Sequence, residues 1–188
     1  MSDQVDLYKR AMAEFDRRVQ AIQPSQWGSQ TACSEWDVRA LVRHLVYENV
    51  WVPPLFEGET IAQVGDRFEG DLLGDDPRGA WDASMKAALA SVTRPGAMDD
   101  VVQLSSGPTK GSEYAMQLTT DLLVHAWDLA VGIGGDRTLD PEVAAACLAD
   151  VRKSESAVRG SGLFADEVKV GADAGPQAQL LGFLGRTP

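Results

Sequence analysis

The sequence predicts an all-α protein, a four-helix bundle with short extra helices and loops. Three observations predict it. Apolar residues recur at three- and four-residue spacings in five segments, strand-like alternation is scarce, and each long periodic segment stops at proline or glycine. The chain has 188 residues, 44% hydrophobic and 24% charged. That is an ordinary globular composition, long enough to bury a core without staples, and it reads as one domain over residues 1–188.

The first helix runs from about Gln4 to Gln23, with Leu7, Ala11, Phe15, Val19 and Ile22 on one face and Pro24 as its stop. A second spans about Glu35 to Val52. Ser34 and Asp37 fit a capping box there, Val38, Leu41, Val42, Leu45, Val46 and Asn49 form the inward stripe, and Pro53-Pro54 ends it. Residues 53–75 lack a period and read as a long loop, with a short helical turn near Ile61, serving as a bundle-crossing link or a lid. Asp76-Pro77 then opens a third helix carrying Trp81, Ser84, Met85, Ala88, Leu89 and Val92, closed by Pro95-Gly96. After a brief extended piece, Val101 to Leu104, a fourth helix opens near Ser112, with Ala115, Leu118, Leu122, Ala126 and Leu129 inward, and ends at Gly132 and Gly134-Gly135. A fifth starts at Asp140-Pro141 and runs to about Val158, where Gly160 and Gly162 stop it. The tail, residues 161–188, holds a short helix around Pro176 to Leu184.

Charge and cysteine usage exclude several partners. Seventeen basic against 28 acidic residues give a net charge of −11, which repels nucleic-acid backbones and anionic membrane surfaces. No apolar stretch approaches a membrane span, and the polar, mixed-charge start is unlike a signal peptide, so a cytoplasmic protein is expected. Cys33 and Cys147 make neither a disulfide framework nor a CxxC pair.

The two histidines carry most of the functional information. His44 falls on the inward stripe of the second helix and His125 on that of the fourth, with Asp121 one turn before His125. A carboxylate on a core-facing stripe is costly unless paired or metal-bound. Two readings stay open: a buried charge-assisted Asp121–His125 pair, or a divalent metal held by His44, Asp121 and His125, a donor set that suits zinc or a similar ion. Three protein ligands leave a position for water or substrate, and helix bundles build metal sites from inward side chains in this way. Glu48, four residues after His44, would serve as a fourth ligand or as the partner that fixes an imidazole tautomer. Weaker signals are Ser105–Ser112, read as a turn before a helix rather than an anion cradle, and Cys33 and the tryptophans, read as packing residues.

Two longer motifs sharpen this reading. The run Cys33-Ser34-Glu35-Trp36-Asp37-Val38-Arg39, leading to Leu41-Val42-Arg43-His44, resembles the first signature of the DinB-like metal-binding helical bundles. More specifically, it is similar to the metal-binding domain of the mycothiol-dependent maleylpyruvate isomerases and their actinobacterial relatives. Asp121-Leu122-Leu123-Val124-His125-Ala126-Trp127-Asp128-Leu129-Ala130, followed by Gly132 and Leu139-Asp140-Pro141, resembles the second signature, and Leu180 to Arg186 the usual ending. The resemblance covers nearly the whole chain and implies a DinB-like four-helix bundle. It implies a three-ligand divalent metal site at His44, Asp121 and His125, with zinc first and nickel or manganese as alternatives.

Asp121 stands where the isomerase has a glutamate and the wider group often a histidine, and Trp127 and Asp128 are motif positions for packing and hydrogen bonding around the site. Residues 161–188 are too few for the isomerase's additional C-terminal domain, so the resemblance does not imply maleylpyruvate isomerisation itself. It implies a metal-dependent thiol S-transferase or isomerase: the metal makes mycothiol a thiolate, which attacks a small electrophile, with Glu48 as orienter or base. The partners implied are a small-molecule thiol and an electrophile, with a homodimer left open. A non-catalytic metal- or ligand-binding protein and a metal-dependent hydrolase are the rival readings.

Overall fold

Residues 3–156, 165–171 and 173–188 are described by the computed structural model of the chain. Helix α1 (Gln4–Ala21) buries Leu7, Tyr8, Ala11, Met12, Phe15 and Val19, the face its spacing predicts. It packs along α5 (Gly111–Ile133), while α2 (Val38–Phe56) packs along α4 (Pro77–Thr93); α2 against α5 and α1 against α4 close the four-helix bundle. Trp81, Tyr8 and Phe15 are fully buried at its centre, with the Phe15 and Trp81 rings 4.8 Å apart. The Trp81 indole N–H still reaches Asp16 Oδ1 at 2.9 Å, so burial leaves no orphan donor there. A further layer forms from α6 (Pro141–Lys153) and α7 (Pro176–Phe183), which pack on each other, with α6 also against α5. The residues read as stopping the fifth helix, Gly160 and Gly162, lie outside the described residues.

Three local readings change, while the helical turn expected near Ile61 is present. Helix α2 begins at Val38, not Glu35, and Asp37 alone caps it by accepting the Ala40 amide at 2.8 Å, so Ser34 makes no capping box. Pro53 and Pro54 lie inside α2, which continues to Phe56. Its last turn survives because Val52, Pro54, Leu55 and Phe56 are buried and Arg94 donates to the Phe56 carbonyl at 3.0 Å. Within the long loop, the turn near Ile61 is α3 (Ile61–Val64), started by a Thr60–Gln63 capping box. Lastly, the extended piece is half of a hairpin: β1 (Val101–Leu104) pairs antiparallel with β2 (Gly107–Lys110) across a two-residue turn. The hairpin runs straight into α5, whose first amide, Gly111 N–H, is already taken by the Asp100 carbonyl at 2.8 Å.

Candidate metal centre

Helix α5 carries Asp121, His125 and Asp128 at i, i+4 and i+7, which stacks all three on one face. Across from it, α2 presents His44. A loop, residues 29–37, supplies the third wall. The Gln30 side-chain amide donates to the carbonyls of Cys33, Ser34 and Trp36 at 2.9, 3.1 and 3.0 Å, and the Thr31 hydroxyl donates to the Trp36 carbonyl at 2.7 Å. Gly132 lets this loop approach α5: a Cβ there would lie 3.1 Å from both Thr31 Cγ2 and Val38 Cγ2. The fourth wall is the C-terminal tail, Leu184 to Thr187. Together they enclose a cleft of about 840 Å³ with His44, Asp121 and His125 on its lining.

The structure brings the three predicted ligands together. Asp121 Oδ2 lies 3.3 Å from His44 Nε2, and Asp121 Oδ1 lies 3.3 Å from His125 Nε2. All three donor atoms fall within 4.8 Å of one another. Trp36 flanks both rings, with centroids 4.7 Å from His44 and 5.6 Å from His125. The His44 side chain is 25% exposed and His125 9%, so His44 sits at the rim rather than on the fully inward stripe.

Two features fit a cation at this place. Asp121 Oδ2 is buried yet accepts no hydrogen bond, an expensive state for a carboxylate oxygen. Each imidazole Nε2 faces a different oxygen of the Asp121 carboxylate at 3.3 Å, so the carboxylate lies between the two rings. The donor set is a carboxylate plus two imidazoles, which zinc accepts.

Behind His125 the arrangement is closed. His125 Nδ1 is 2.9 Å from Asp128 Oδ2, and Asp128 is fully buried. An ionised carboxylate only accepts, so the imidazole carries its proton on Nδ1 and donates it to Asp128. Arg186 completes the chain through Nη2 to Oδ2 at 2.8 Å and Nε to Oδ1 at 3.3 Å. Burial alone would raise the Asp128 carboxyl; the hydrogen bonds and charges of His125 and Arg186 overcome it and hold the carboxyl at about 2. Burial likewise opposes charge on His125, yet Asp121 and Asp128 raise its pKa well above the ordinary histidine value. Asp121 is held far below the carboxylate range by the two imidazoles, against its own burial. A divalent cation held between His125 and Asp121 would have to displace the proton that this pairing favours.

Cys33, read from sequence as a packing residue, faces this site: its thiol donates to Asp128 Oδ2 at 3.2 Å and lies 3.9 Å from His125 Nδ1. Cys33, His125 and Asp128 also have metal-ligand spacing, but the Arg186 guanidinium already neutralises Asp128 there and lies 3.8 Å from the sulfur. Glu48 neither lines the cleft nor hydrogen-bonds a described residue, so the tautomer-fixing role expected of it belongs, for His125, to Asp128. Burial raises the Glu48 carboxyl, Asp121 raises it further, and the two imidazoles pull it down. Arg43, next to His44 in sequence, spends its guanidinium on the Gly70 carbonyl at 2.6 Å. Asp128 was read from sequence as a motif position for hydrogen bonding around the site; Arg186 had no local signal beyond its place in the closing motif.

Residues 8–130 match the family described as the mycothiol maleylpyruvate isomerase N-terminal domain. Two Mycobacterium tuberculosis proteins, both named as uncharacterized, are 34% identical to the chain, with 98% of each covered. A crystal structure of the mycothiol-dependent maleylpyruvate isomerase superposes with a TM-score of 0.59 at 17% identity, covering 78% of this chain and 66% of that one. A mutant of that isomerase gives 0.63 at 17% identity, over 88% and 72%. These structures share the fold, and the chain spans about two thirds of the length of the first. By the match over residues 8–130 and the kinship with the mycobacterial proteins, the chain belongs to the mycothiol maleylpyruvate isomerase N-terminal domain family.

Proposed function

We propose that the chain is a divalent-metal-binding bundle that works with a low-molecular-weight thiol of the mycothiol type, as an S-transferase or isomerase acting on a small electrophile. The observation that carries the reading is the convergence of His44, Asp121 and His125 on one point, with Asp121 Oδ2 buried and unbonded. The thiol part is supported by family membership and by the mycothiol dependence of the isomerase that shares the fold. His44 Nε2, an Asp121 oxygen and His125 Nε2 would hold zinc, or nickel or manganese in its stead.

What such an ion supplies when bound is Lewis acidity, which lowers the pKa of a nearby thiol so that thiolate forms at neutral pH. The chain's own residues set the conditions for that. Asp128 keeps the His125 proton on Nδ1 and leaves the Nε2 lone pair directed at the site. Two neutral imidazoles and one carboxylate give the donor set a single negative charge, so a divalent ion leaves a net positive charge that favours an anionic sulfur. The Trp36 ring packs against both imidazoles at a tilt and adds apolar surface beside them.

The test combines metal analysis with turnover. Chain stripped by chelator and reloaded with zinc is expected to hold one equivalent, and His125→Ala to lose it. Incubated with mycothiol and a panel of electrophiles, the loaded chain is expected to give a conjugate or an isomerised product, with rate lowered at least about 100-fold in His125→Ala. Product formed without any need for thiol overturns the reading in favour of hydrolysis. Full metal uptake with no product from any electrophile overturns it in favour of a binding protein.

A further inference from the structure

We propose that the C-terminal tail is a working part of the metal centre: Arg186 is a positioning residue that locks Asp128, and through it the His125 ring, into the orientation that presents Nε2 to Asp121 and His44. The inference rests on the metal reading above and goes beyond it, because Arg186 lies outside residues 8–130, the stretch that carries the family match.

The argument begins with side-chain freedom. The terminal torsions of histidine and aspartate are broad and roughly two-fold, so rotamer preference alone fixes neither the imidazole nor the carboxylate plane. His125 takes its orientation from the bond to Asp128 at 2.9 Å. Asp128 needs a partner in turn, and the guanidinium fork reaches both of its oxygens, at 2.8 and 3.3 Å. A two-point contact of this kind sets a plane, which a point charge does not. The Cys33 thiol adds a third contact to the same carboxylate at 3.2 Å.

The tail is built to deliver that fork. Leu180 and Leu181 are fully buried and fix α7 to the body. Gly185 then turns the chain with φ +83°, where a Cβ would lie 2.8 Å from Ala165 Cβ and 2.9 Å from the Ala165 carbonyl oxygen. Glycine meets both demands at once. The turn is closed by Gly185 N–H to the Gly182 carbonyl at 3.0 Å and Arg186 N–H to the Leu181 carbonyl at 2.8 Å. Arg186 donates Nη1 to the Leu184 carbonyl at 3.0 Å as well, so its guanidinium is held at three edges, and its side chain is only 15% exposed. A surface arginine that merely balanced charge would need none of this.

Cobalt(II) alone is the probe, read by affinity and by its visible spectrum, which reports ligand geometry. The parent chain is expected to bind one equivalent. Arg186→Gln is expected to bind about ten-fold more weakly, with a shifted spectrum, the lower end of the loss usual for partners behind a metal ligand. Arg186→Lys keeps the charge but not the fork and is expected to fall between the two. Circular dichroism and melting of the metal-free variants separate this from unfolding; if Arg186→Gln fails to fold, Arg186→Lys carries the comparison. A folded variant with parental affinity and spectrum overturns the inference while leaving the metal reading intact. A parent chain that takes up no cobalt overturns both.

Discussion

The two cysteines occupy opposite environments, and their chemistry follows. Cys147 is fully buried on α6, and burial pushes its thiol up to about 11. Cys33 is half-buried on the cleft wall, where a small reagent reaches it. The native chain is expected to release one equivalent of thionitrobenzoate with Ellman's reagent at pH 8 and two after denaturation, and Cys33→Ser to release none while folded. Two fast equivalents from the native chain would refute the buried state of Cys147. The same contrast explains what a linear reading reaches. Asp121 and His125 were legible because helical spacing stacks residues four apart, His44 because it falls on the apolar stripe of its own helix, and Asp128 as a motif position. The roles of Cys33 and Arg186 were not, since each meets Asp128 only when a loop and a tail dock on α5, across 95 and 58 residues of chain.

Helix α6 shows how one residue holds an element to the bundle. Asp140 caps it by accepting the amides of Glu142 and Val143 at 3.0 and 3.2 Å, and it also takes the Arg10 guanidinium of α1 at 2.6 Å. Burial works against the charge on Asp140, but Arg10 and the two amides prevail and lower its pKa. A depressed carboxyl contributes stability that is present above its unfolded value of about 3.9 and is lost as pH falls through the lower folded value. Asp140→Asn, which keeps much of the cap and loses the charge, is therefore expected to be less stable than the parent by about 1 kcal/mol at pH 7. The gap should close in melts below about pH 4, and a gap that stays constant down to pH 2.5 would refute the charged role. Aspartate before proline made this helix start readable from sequence. The end of α2 was not, because buried side chains and the Arg94 cap outweigh two prolines. Pro108 similarly hid β2, although a two-stranded ribbon tolerates proline at its edge.

Taken as a whole, the molecule joins a bundle of ordinary apolar helices to a site whose donors come from α2 and α5 and whose supports come from the 29–37 loop and the tail. Were His44, Asp121 and His125 to hold a metal as proposed, its affinity and the folding stability would be linked, because an unfolded chain cannot assemble the set. At a free zinc concentration about 100 times the dissociation constant, linkage adds about 2.7 kcal/mol. For a chain of this size that is a rise of roughly 5–10 °C in melting temperature. Net charge complicates the measurement, since a chain at −11 gains some stability from any divalent cation that screens its self-repulsion. Magnesium at the same concentration supplies the control, because it is a poor match for imidazole donors and screens equally well. The expected pattern is a large shift with zinc, a small one with magnesium, and a zinc shift reduced to the magnesium level in His44→Ala and His125→Ala. Equal shifts with both ions in the parent chain would mean that the acidic surface, not the three converging side chains, is what the cation meets.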